Sequence, residues 1–393
     1  MRTKTKVTQI GWDSHRKFSK VTARDGSHRV VWRQRVDHSD RGRMREQIGA
    51  WPGDTPVILE STFGWGWISD ELREAGLDPH LANSRKVAAW RDARGLAKSD
   101  RVDADLLSEL WSQPSRWWEV WLAPPEVREQ REWLRYRMSL VAIQTGLKNR
   151  THAILHRHGI VNEHTDLFGA QGRRFLSLLA GPGDTRLPKS ARVMLKGYLQ
   201  LLDHIRRQIA WVTQEFRRQL VRTPEGQRLM TLPGIGQILA YTIVAEVGQI
   251  ERFADGRRLA AYSLLAPRAD DSARENEAEA PKGRHVGHAG RRTLKWAWIE
   301  ASHSAMRRGG RFREIFDRRT DGGTKDLNRG HIAVAHELCR VAYAMWKKET
   351  NYREDRPARP GAAILGTELS SGNGPARRGY GRCRRQRRLQ TSS

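Results

Sequence analysis

The residues of this sequence that most suggest chemistry are two acids near position 100, in the stretch AKSDRVDADLL. Helical periodicity places Asp100 and Asp103 on one face of a predicted helix, with an apolar stripe of leucines behind them. Two neighbouring carboxylates repel each other, and a hard cation such as Mg2+ between them relieves that repulsion. The alternative is a solvated helix face neutralised by Lys98 and Arg101, and the pair taken alone favours that alternative.

Two acids farther upstream change this balance. Asp13 ends the alternating run VTQIGWD, and Glu60 ends the apolar run of Val57, Ile58 and Leu59. Both acids therefore follow a predicted strand, at the end where open α/β sheets place ligands and catalytic groups. The ordered set of strand-end Asp, strand-end Glu and Asp-x-x-Asp helix predicts a four-acid site for one or two Mg2+ ions.

Alternating strands and helices within residues 1–123 are expected to position these acids. The predicted strands are Val7–Asp13, Phe18–Ala23, His28–Trp32, Pro56–Glu60 and Leu77–Ala82. The predicted helices ahead of the acid-bearing one are Met44–Trp51, Trp67–Ala75 and Ser84–Ala93. Three antiparallel strands followed by alternating helix and strand is the order of a ribonuclease-H-like sheet, so we predict an α/β domain of that kind.

The rest of the chain is predicted to be mostly α-helical. A Pro-Pro pair at 124–125 marks a boundary, because proline does not continue a helix. A coiled-coil arm over 124–223 is expected to pair two long helices, Glu126–His158 and Ser190–Arg222. A helical C-terminal domain over 224–350 and a basic, disordered tail over 351–393 complete the predicted organisation. The predicted C-terminal helices are Leu239–Val247, Phe253–Leu265, Arg291–Arg307 and Gly330–Lys347.

The charge of the chain predicts a nucleic-acid partner. Its net charge is +27, and lysine and arginine gain affinity for polyanions by releasing counterions from phosphates. The LPGIG turn resembles a helix-hairpin-helix motif, whose backbone N–H groups hold a phosphate; a simple glycine turn between packed helices is the alternative. The residues predicted to contact nucleic acid are Lys148, Arg150, Arg157, Gly234, Gly236, Arg291 and Arg292.

Other site types and locations are less favoured. His152 and His156 have a metal-ligand spacing on a helix, but no third ligand is apparent near them. Cys339 and Cys383 are the only cysteines, which disfavours a disulfide framework or a thiolate zinc site. No apolar run approaches the roughly 20 residues of a membrane span. These features predict a cytoplasmic protein without a membrane partner.

Taken together, these motifs resemble the RNA-bridged transposases of bacterial insertion-sequence family one-hundred-and-ten. The matching segments are GWDSH around Asp13, LESTFGW around Glu60, and AKSDRVDADLL. Farther along, LPGIGQILAYTIVAEVG and HVGHAGRRTLKWAWIEA also match, so the resemblance covers roughly residues 5–348. Leu264 stands where the family usually has glycine.

The resemblance implies a RuvC-like domain with a DEDD acid set and a C-terminal domain with a serine nucleophile. That serine corresponds to Ser272, five residues past Pro267. It would attack a DNA phosphodiester and retain the DNA end as a phosphoserine ester, with Mg2+ held by the four acids. A structured noncoding guide RNA, the bridge RNA, would pair with donor and target DNA.

The resemblance also implies a homo-oligomer, dimer or tetramer, in which one subunit supplies the acids and another the serine. Two other classes stay open at this point. A hydrolytic RuvC-like nuclease or junction resolvase needs only the acids and water. An inactive nucleic-acid-binding relic needs only the basic surfaces.

Overall fold

The structure of the chain, a computed structural model, describes residues 7–113, 119–266 and 291–354. Ser272 and nearly all of the predicted tail lie outside these ranges. Within them, an α/β part with one mixed sheet is followed by α-helices, as the sequence predicts.

The sheet has six strands within the described residues. They are β1 (Val7–Ser14), β2 (Phe18–Asp25), β3 (Val30–Asp37), β4 (Pro56–Glu60), β5 (Asp78–Ala82) and β6 (Glu119–Val120). Their order across the sheet is β3-β2-β1-β4-β5-β6. The first three strands form an antiparallel meander, β4 and β5 run parallel to β1, and β6 is antiparallel to β5. This arrangement fits a ribonuclease-H-like fold, and β6 is the one strand that the sequence did not predict.

Helices cover both faces of this sheet. They are α1 (Arg41–Gly49), α2 (Trp65–Glu74), α3 (Ser84–Ala93) and α4 (Asp100–Leu110). Val57 and Leu59 point into the core that includes apolar residues of α1 and α2, whereas Ile58 packs with α3 and α4. The alternation along β4 follows from the two-residue period of a strand, and burial on both faces explains its continuous apolar run.

Helix-capping side chains set two of the helix starts. The Asp40 carboxylate accepts a hydrogen bond from Arg43 N, so α1 begins at Arg41, three residues before the predicted start. Ser99 caps α4 in the same way, accepting from Val102 N. The cap therefore fixes Asp100 as the first residue of α4 and places Asp103 within the first turn.

Two long helices lie within residues 124–223, where the sequence predicts a coiled-coil arm. They are α5 (Pro125–Arg157) and α7 (Lys189–Val221), with the short α6 (Ala170–Leu179) between them. Leu134, near the start of α5, shares a core with Phe216, near the end of α7. Leu147 shares another core with Leu195. Early positions of α5 therefore pack with late positions of α7 and the reverse, so the two helices run antiparallel.

The C-terminal helices are α8 (Pro224–Met230), α9 (Gln237–Val247), α10 (Gly256–Tyr262), α11 (Arg292–Arg307), α12 (Gly310–Thr320) and α13 (Leu327–Lys347). The predicted helix Phe253–Leu265 is too long, because Asp255 caps α10 by accepting from Arg258 N. The sequence did not predict α12. None of the helices in the described ranges is both long and apolar enough to cross a membrane.

Leu264 has a left-handed backbone conformation, with φ of 57°. This conformation costs an ordinary residue roughly 1–2 kcal/mol and costs glycine almost nothing. The Leu264 side chain is buried, and burying a leucine stabilises by about 1.5–3 kcal/mol. Burial therefore offsets the backbone cost at a position where the resembling family usually has glycine.

Candidate active site

The position of α4 depends on a glycine of the central strand. A Cβ atom built on Gly11 would lie 2.2 Å from Ser108 N and 2.3 Å from Ala104 O. Beside it, Gln9 donates hydrogen bonds to Ser108 O at 2.6 Å and to Ser112 Oγ at 2.8 Å. The close approach lays α4 antiparallel along β1, so the start of the helix reaches the end of the strand where Asp13 lies.

Other acids of α4 hold the helix on the sheet. Asp105 accepts hydrogen bonds from Thr22 Oγ1 and Arg33 Nη2, both at 2.8 Å. Glu109 lies 3.0 Å from Arg24 Nη2. Burial alone would raise the pKa of Asp105, but the hydrogen bonds from Arg33 and Thr22 outweigh it and lower that pKa. Asp105 is therefore an ionised anchor.

A cluster of three side chains forms where β1 ends and α4 begins. His15 Nε2 lies 3.0 Å from Asp13 Oδ2 and 3.3 Å from Asp100 Oδ2. One ligand atom from each of these residues lies within 4.8 Å of the other two. The structure thus brings together two acids that are far apart in the sequence, and it adds a histidine that sequence reasoning missed.

The other two predicted acids border this cluster. Asp103 Oδ1 lies 3.0 Å from Arg91 Nη1 of α3. Glu60 ends β4, which pairs parallel to β1, so its carboxylate and that of Asp13 lie at the same edge of the sheet. Asp103 and Asp13 are both close enough to Glu60 to raise its pKa.

The electrostatics of the site differ strongly from those of the anchoring acids. Burial raises the pKa of Asp13 to about 6; the His15 imidazole opposes this shift, while Asp103 and Asp100 add to it. Burial likewise raises the pKa of Glu60 to about 7; Asp13 and Asp103 add to the shift, while Arg91 and Lys98 oppose it. Carboxyls with pKa values raised this far in one small region mark a candidate functional site.

A divalent cation fits this donor set. Asp13 Oδ2 is shielded from solvent and has no hydrogen-bond partner, because the nearby His15 Nε2 has the distance but not the geometry of a hydrogen bond. A buried carboxylate oxygen without a donor is costly and calls for a positive partner. Carboxylate oxygens suit Mg2+ and Mn2+, and an added imidazole nitrogen is tolerated best by Mn2+. Elsewhere in the described ranges, no three such side chains come this close.

His15 and Arg91 carried weak sequence signals. His15 follows Asp13 by two residues, and positions two apart on an extended strand face the same side. Arg91 lies on a different helix from Asp103, and no local pattern relates the two residues. Only the packing of α3 beside α4 brings that guanidinium to the acid.

The predicted basic contacts at the far end of α5 differ in their exposure to solvent. Arg150 and Arg157 are exposed. Lys148 is half-buried, with its Nζ 5.2 Å from the centre of the Phe168 ring. Nucleic-acid contact by these three residues stays a prediction.

The predicted glycine turn joins α8 to α9. Gly234 has a positive φ of 86°, and a Cβ atom on it would lie 2.2 Å from Ala301 O of α11. That glycine is required for packing between helices. Gly236 precedes α9, and a Cβ atom on it would meet nothing within 4 Å. Phosphate binding by this turn therefore stays a prediction, and Gly236 is the better placed of the two glycines.

Arg291 and Arg292 precede and begin α11. Arg291 Nε donates to Tyr262 Oη at 2.9 Å and lies 3.6 Å from Glu246 Oε2, so its charge already has a protein partner. Arg292 is exposed. Of this pair, Arg292 is the residue available to a phosphate.

A mixed ribonuclease-H-like sheet with carboxylates gathered at the ends of its central parallel strands is typical of enzymes that act on nucleic acids. Residues 10–160 match a family model for transposases of the DEDD IS110 type. Residues 226–317 match the model of the IS116/IS110/IS902 transposase family. The chain belongs to the IS110 family of insertion-sequence transposases, which are enzymes that act on DNA.

Three relatives support this assignment. A probable family 20 transposase of Pseudomonas aeruginosa is 24% identical over 349 residues, covering 88% of this chain and 99% of that protein. The transposase for insertion sequence element IS1111A of Coxiella burnetii is 25% identical over 309 residues, covering 76% of this chain and 79% of that protein. The transposase for element IS1328 of Yersinia enterocolitica is 26% identical over 216 residues, covering 54% of this chain and 60% of that protein.

Proposed function

We propose that Asp13, Glu60, Asp100 and Asp103 form the DNA-cleaving centre of this transposase and hold one or two Mg2+ ions. The observation that carries this proposal is the close approach of Asp13, His15 and Asp100, with a buried Asp13 oxygen that lacks a hydrogen-bond donor. When bound, a divalent ion neutralises charge on the scissile phosphate and assists deprotonation of the attacking hydroxyl.

The chain's own residues have separate tasks in this site. His15, between Asp13 and Asp100, adds a donor nitrogen and fixes the spacing of the two carboxylates. Arg91 orients Asp103 and offsets part of the negative charge. In the metal-free protein the pKa of Glu60 is raised to about 7, so its carboxyl gives up a proton when it takes part in holding a divalent ion near neutral pH.

Ser272 is proposed as the nucleophile, on the strength of the family resemblance. Its Oγ would form a new bond to phosphorus while the bond to the leaving deoxyribose oxygen breaks. The serine proton passes to a base, and the leaving oxygen takes up a proton. The resulting phosphoserine ester conserves the phosphodiester bond energy, so strands rejoin without hydrolysis of a nucleotide. The described chain brackets this segment between the end of α10 and the start of α11.

A bridge RNA and a homo-oligomer complete the proposal. The net charge of +27 supports binding of more than one polyanion, here donor DNA, target DNA and a structured guide RNA. Arg150, Arg157 and Arg292 are exposed and support the predicted contacts. A dimer or tetramer would allow the acids of one subunit to meet Ser272 of another.

A hydrolytic nuclease is the second candidate, because the described acid cluster is sufficient for it. Water would then replace Ser272, and no protein–DNA ester would form. Retention of the whole acid cluster favours either enzyme over an inactive binding relic.

The test compares Asp13→Asn with the wild type on labelled DNA that carries the ends of the encoding element, with Mg2+ and the flanking noncoding RNA. We expect the variant to lose strand cleavage and to keep DNA binding. Glu46→Gln changes an exposed acid of α1 and is the matched control, with unchanged cleavage. Normal cleavage by Asp13→Asn would exclude the acid cluster as the catalytic centre.

A further inference from the structure

One aromatic side chain beside the acid cluster has no packing role. Phe63 is fully exposed, whereas other aromatic residues of the sheet domain, such as Trp12 and Trp90, are buried. Burying a phenylalanine side chain stabilises a fold, and Phe63 contributes nothing of this kind. Its ring is therefore fully available to a partner outside the fold.

The turn that carries Phe63 is well anchored. Ser61 N donates to Ala82 O at 2.9 Å, and Thr62 N donates to Glu60 O at 2.8 Å. The Ser61 and Ser84 hydroxyls lie 3.1 Å apart. After Phe63, Gly64 takes a positive φ of 91° and leads directly into α2. The ring is thus projected from a turn fixed at both ends.

Phe63 lies close to the proposed centre along the chain. Phe63 follows Glu60 by three residues, which limits their Cα separation to about 11 Å. Stacked bases along a strand are about 3.4 Å apart, so this span corresponds to roughly three nucleotides. A strand with a phosphate at the acid cluster passes within reach of the ring.

The surroundings of Phe63 fit a nucleic acid better than a protein. Its immediate neighbours Ser61, Thr62 and Gly64 are small or polar, and Trp65 and Trp67 farther along are half-buried, so Phe63 is the one fully exposed ring of this segment. Arg91, which is paired with Asp103, and Lys98 place positive charge near Glu60, three residues before Phe63. Proteins that bind single strands combine basic groups along the backbone with exposed aromatic rings on which bases stack.

We propose that Phe63 stacks on an unpaired base of the DNA strand held at the acid cluster, within about three nucleotides of the scissile phosphate. The proposal rests on the proposed DNA-cleaving centre and adds the contact that orients the strand in it. Stacking requires an aromatic face, so the Phe63→Trp variant should keep the contact and the Phe63→Leu variant should lose it.

The test measures binding of the full-length protein to single-stranded DNA with 2-aminopurine placed at successive positions from an element end. Wild type and Phe63→Trp should quench the fluorescence of one or two neighbouring probes. Phe63→Ala and Phe63→Leu should lose that quenching and bind about 5- to 100-fold more weakly. Because the side chain is fully exposed, these variants should remain folded.

Trp111→Ala is the matched control. Among the described residues of the sheet domain, Trp111 is the other exposed large apolar one, and it follows the far end of α4, about 16 Å along the helix from Asp100. This variant should bind and quench like the wild type. Full binding by Phe63→Leu, or quenching independent of Phe63, would overturn the proposal. Phe63 dependence seen only with the same sequence as RNA would instead assign the ring to a guide RNA and would also overturn it.

Metal binding separates this proposal from that of the cleaving centre. Calorimetric titration with Mn2+ should give equal affinities for Phe63→Ala and wild type and a large loss for Asp13→Asn. If Asp13→Asn bound Mn2+ normally, the metal site would fail whatever the quenching showed. If Mn2+ binding behaved as expected but Phe63→Ala quenched the probes like the wild type, the stacking proposal alone would fail.

Discussion

Gly11 and Ser108 are in backbone contact so close that a single Cβ atom on Gly11 would lie 2.2 Å from the Ser108 nitrogen. This contact joins the central strand to α4 and sets the position of Asp100 and Asp103 relative to Asp13. The candidate site is therefore positioned by a residue that has no side chain and takes no part in chemistry.

Gly11→Ala should destabilise the sheet domain. The nearest atoms are backbone atoms of α4, which cannot turn away, and overpacking of this kind costs about 1–3 kcal/mol or more. Gly49→Ala, at the end of α1, is the control, because its Cβ atom would meet nothing within 4 Å. Urea unfolding monitored by tryptophan fluorescence measures both. Equal midpoints for Gly11→Ala and wild type would show that α4 can move away without cost.

The strands of the sheet and the positions of Asp13 and Glu60 at strand ends could be predicted from local pattern, whereas the side-chain contacts around these acids could not. Strand-end positions of Asp13 and Glu60 follow from apolar runs that stop at them. The ion pair of Arg91 with Asp103 joins two helices and depends on packing, which no periodicity encodes. The missed helix α12 has an arginine-rich sequence, GRFREIFDRRT, with few apolar positions to reveal its period.

The stability of the metal-free protein should depend on Asp13 and Glu60. Their pKa values rise from 3.8 to about 6 and from 4.5 to about 7 on folding. The folded state therefore binds these protons more tightly. Their contribution to the free energy of unfolding is complete below about pH 4 and is lost as the pH rises through 6 and 7.

The measurement is urea unfolding with EDTA between pH 4 and pH 8, taken as the difference between wild type and a double variant, Asp13→Asn with Glu60→Gln. Carboxyls such as Asp105, whose pKa is lowered, change the free energy of unfolding with pH in the opposite direction. They are present in both proteins, so the difference cancels their contribution. Wild type should lose stability relative to the variant as the pH rises, and Mn2+ added in place of EDTA should restore it at pH 8. A difference that does not change with pH would contradict the raised pKa values.

His15→Gln should weaken divalent-metal binding about 10- to 100-fold, because the imidazole lies against both Asp13 and Asp100. Loss of strand cleavage should follow at limiting metal and be partly recovered at high metal. His156→Gln, on the exposed end of α5, should bind Mn2+ like the wild type. If the His156 variant lost metal affinity instead, the rejected histidine pair of the arm would become the metal site.

Deleting residues 355–393 should weaken nonspecific DNA binding. Residues 351–354 are kept because Tyr352 N donates to Thr231 Oγ1 at 2.9 Å and Arg311 N donates to Glu354 Oε1 at 3.3 Å. The deleted segment has nine arginines and two acids, a net charge of +7. Each lost phosphate contact should reduce the slope of log affinity against log salt by about 0.7–0.9. An unchanged slope with altered cleavage positions would mean that the tail selects the site.

Ser272 separates recombination from hydrolysis most clearly. If it is the nucleophile, reaction of wild type with labelled element DNA should give a slowly migrating, protease-sensitive band on a denaturing gel. Ser272→Ala should remove that band, whereas Ser272→Cys keeps a nucleophile and should retain some of it. Cleavage by Ser272→Ala that leaves free phosphate ends would instead establish water as the nucleophile.

Mixing variants tests whether the site is shared between subunits. Ser272→Ala and Asp100→Ala should each be inactive alone, since each lacks one half of the proposed centre. Within mixed oligomers, the acids of one subunit can meet the serine of the other, and part of the activity should return. Recovery should require co-refolding or coexpression if the oligomer exchanges subunits slowly. A mixture that stays inactive even when hetero-oligomers are purified would place Ser272 and the acids of the same subunit in one centre.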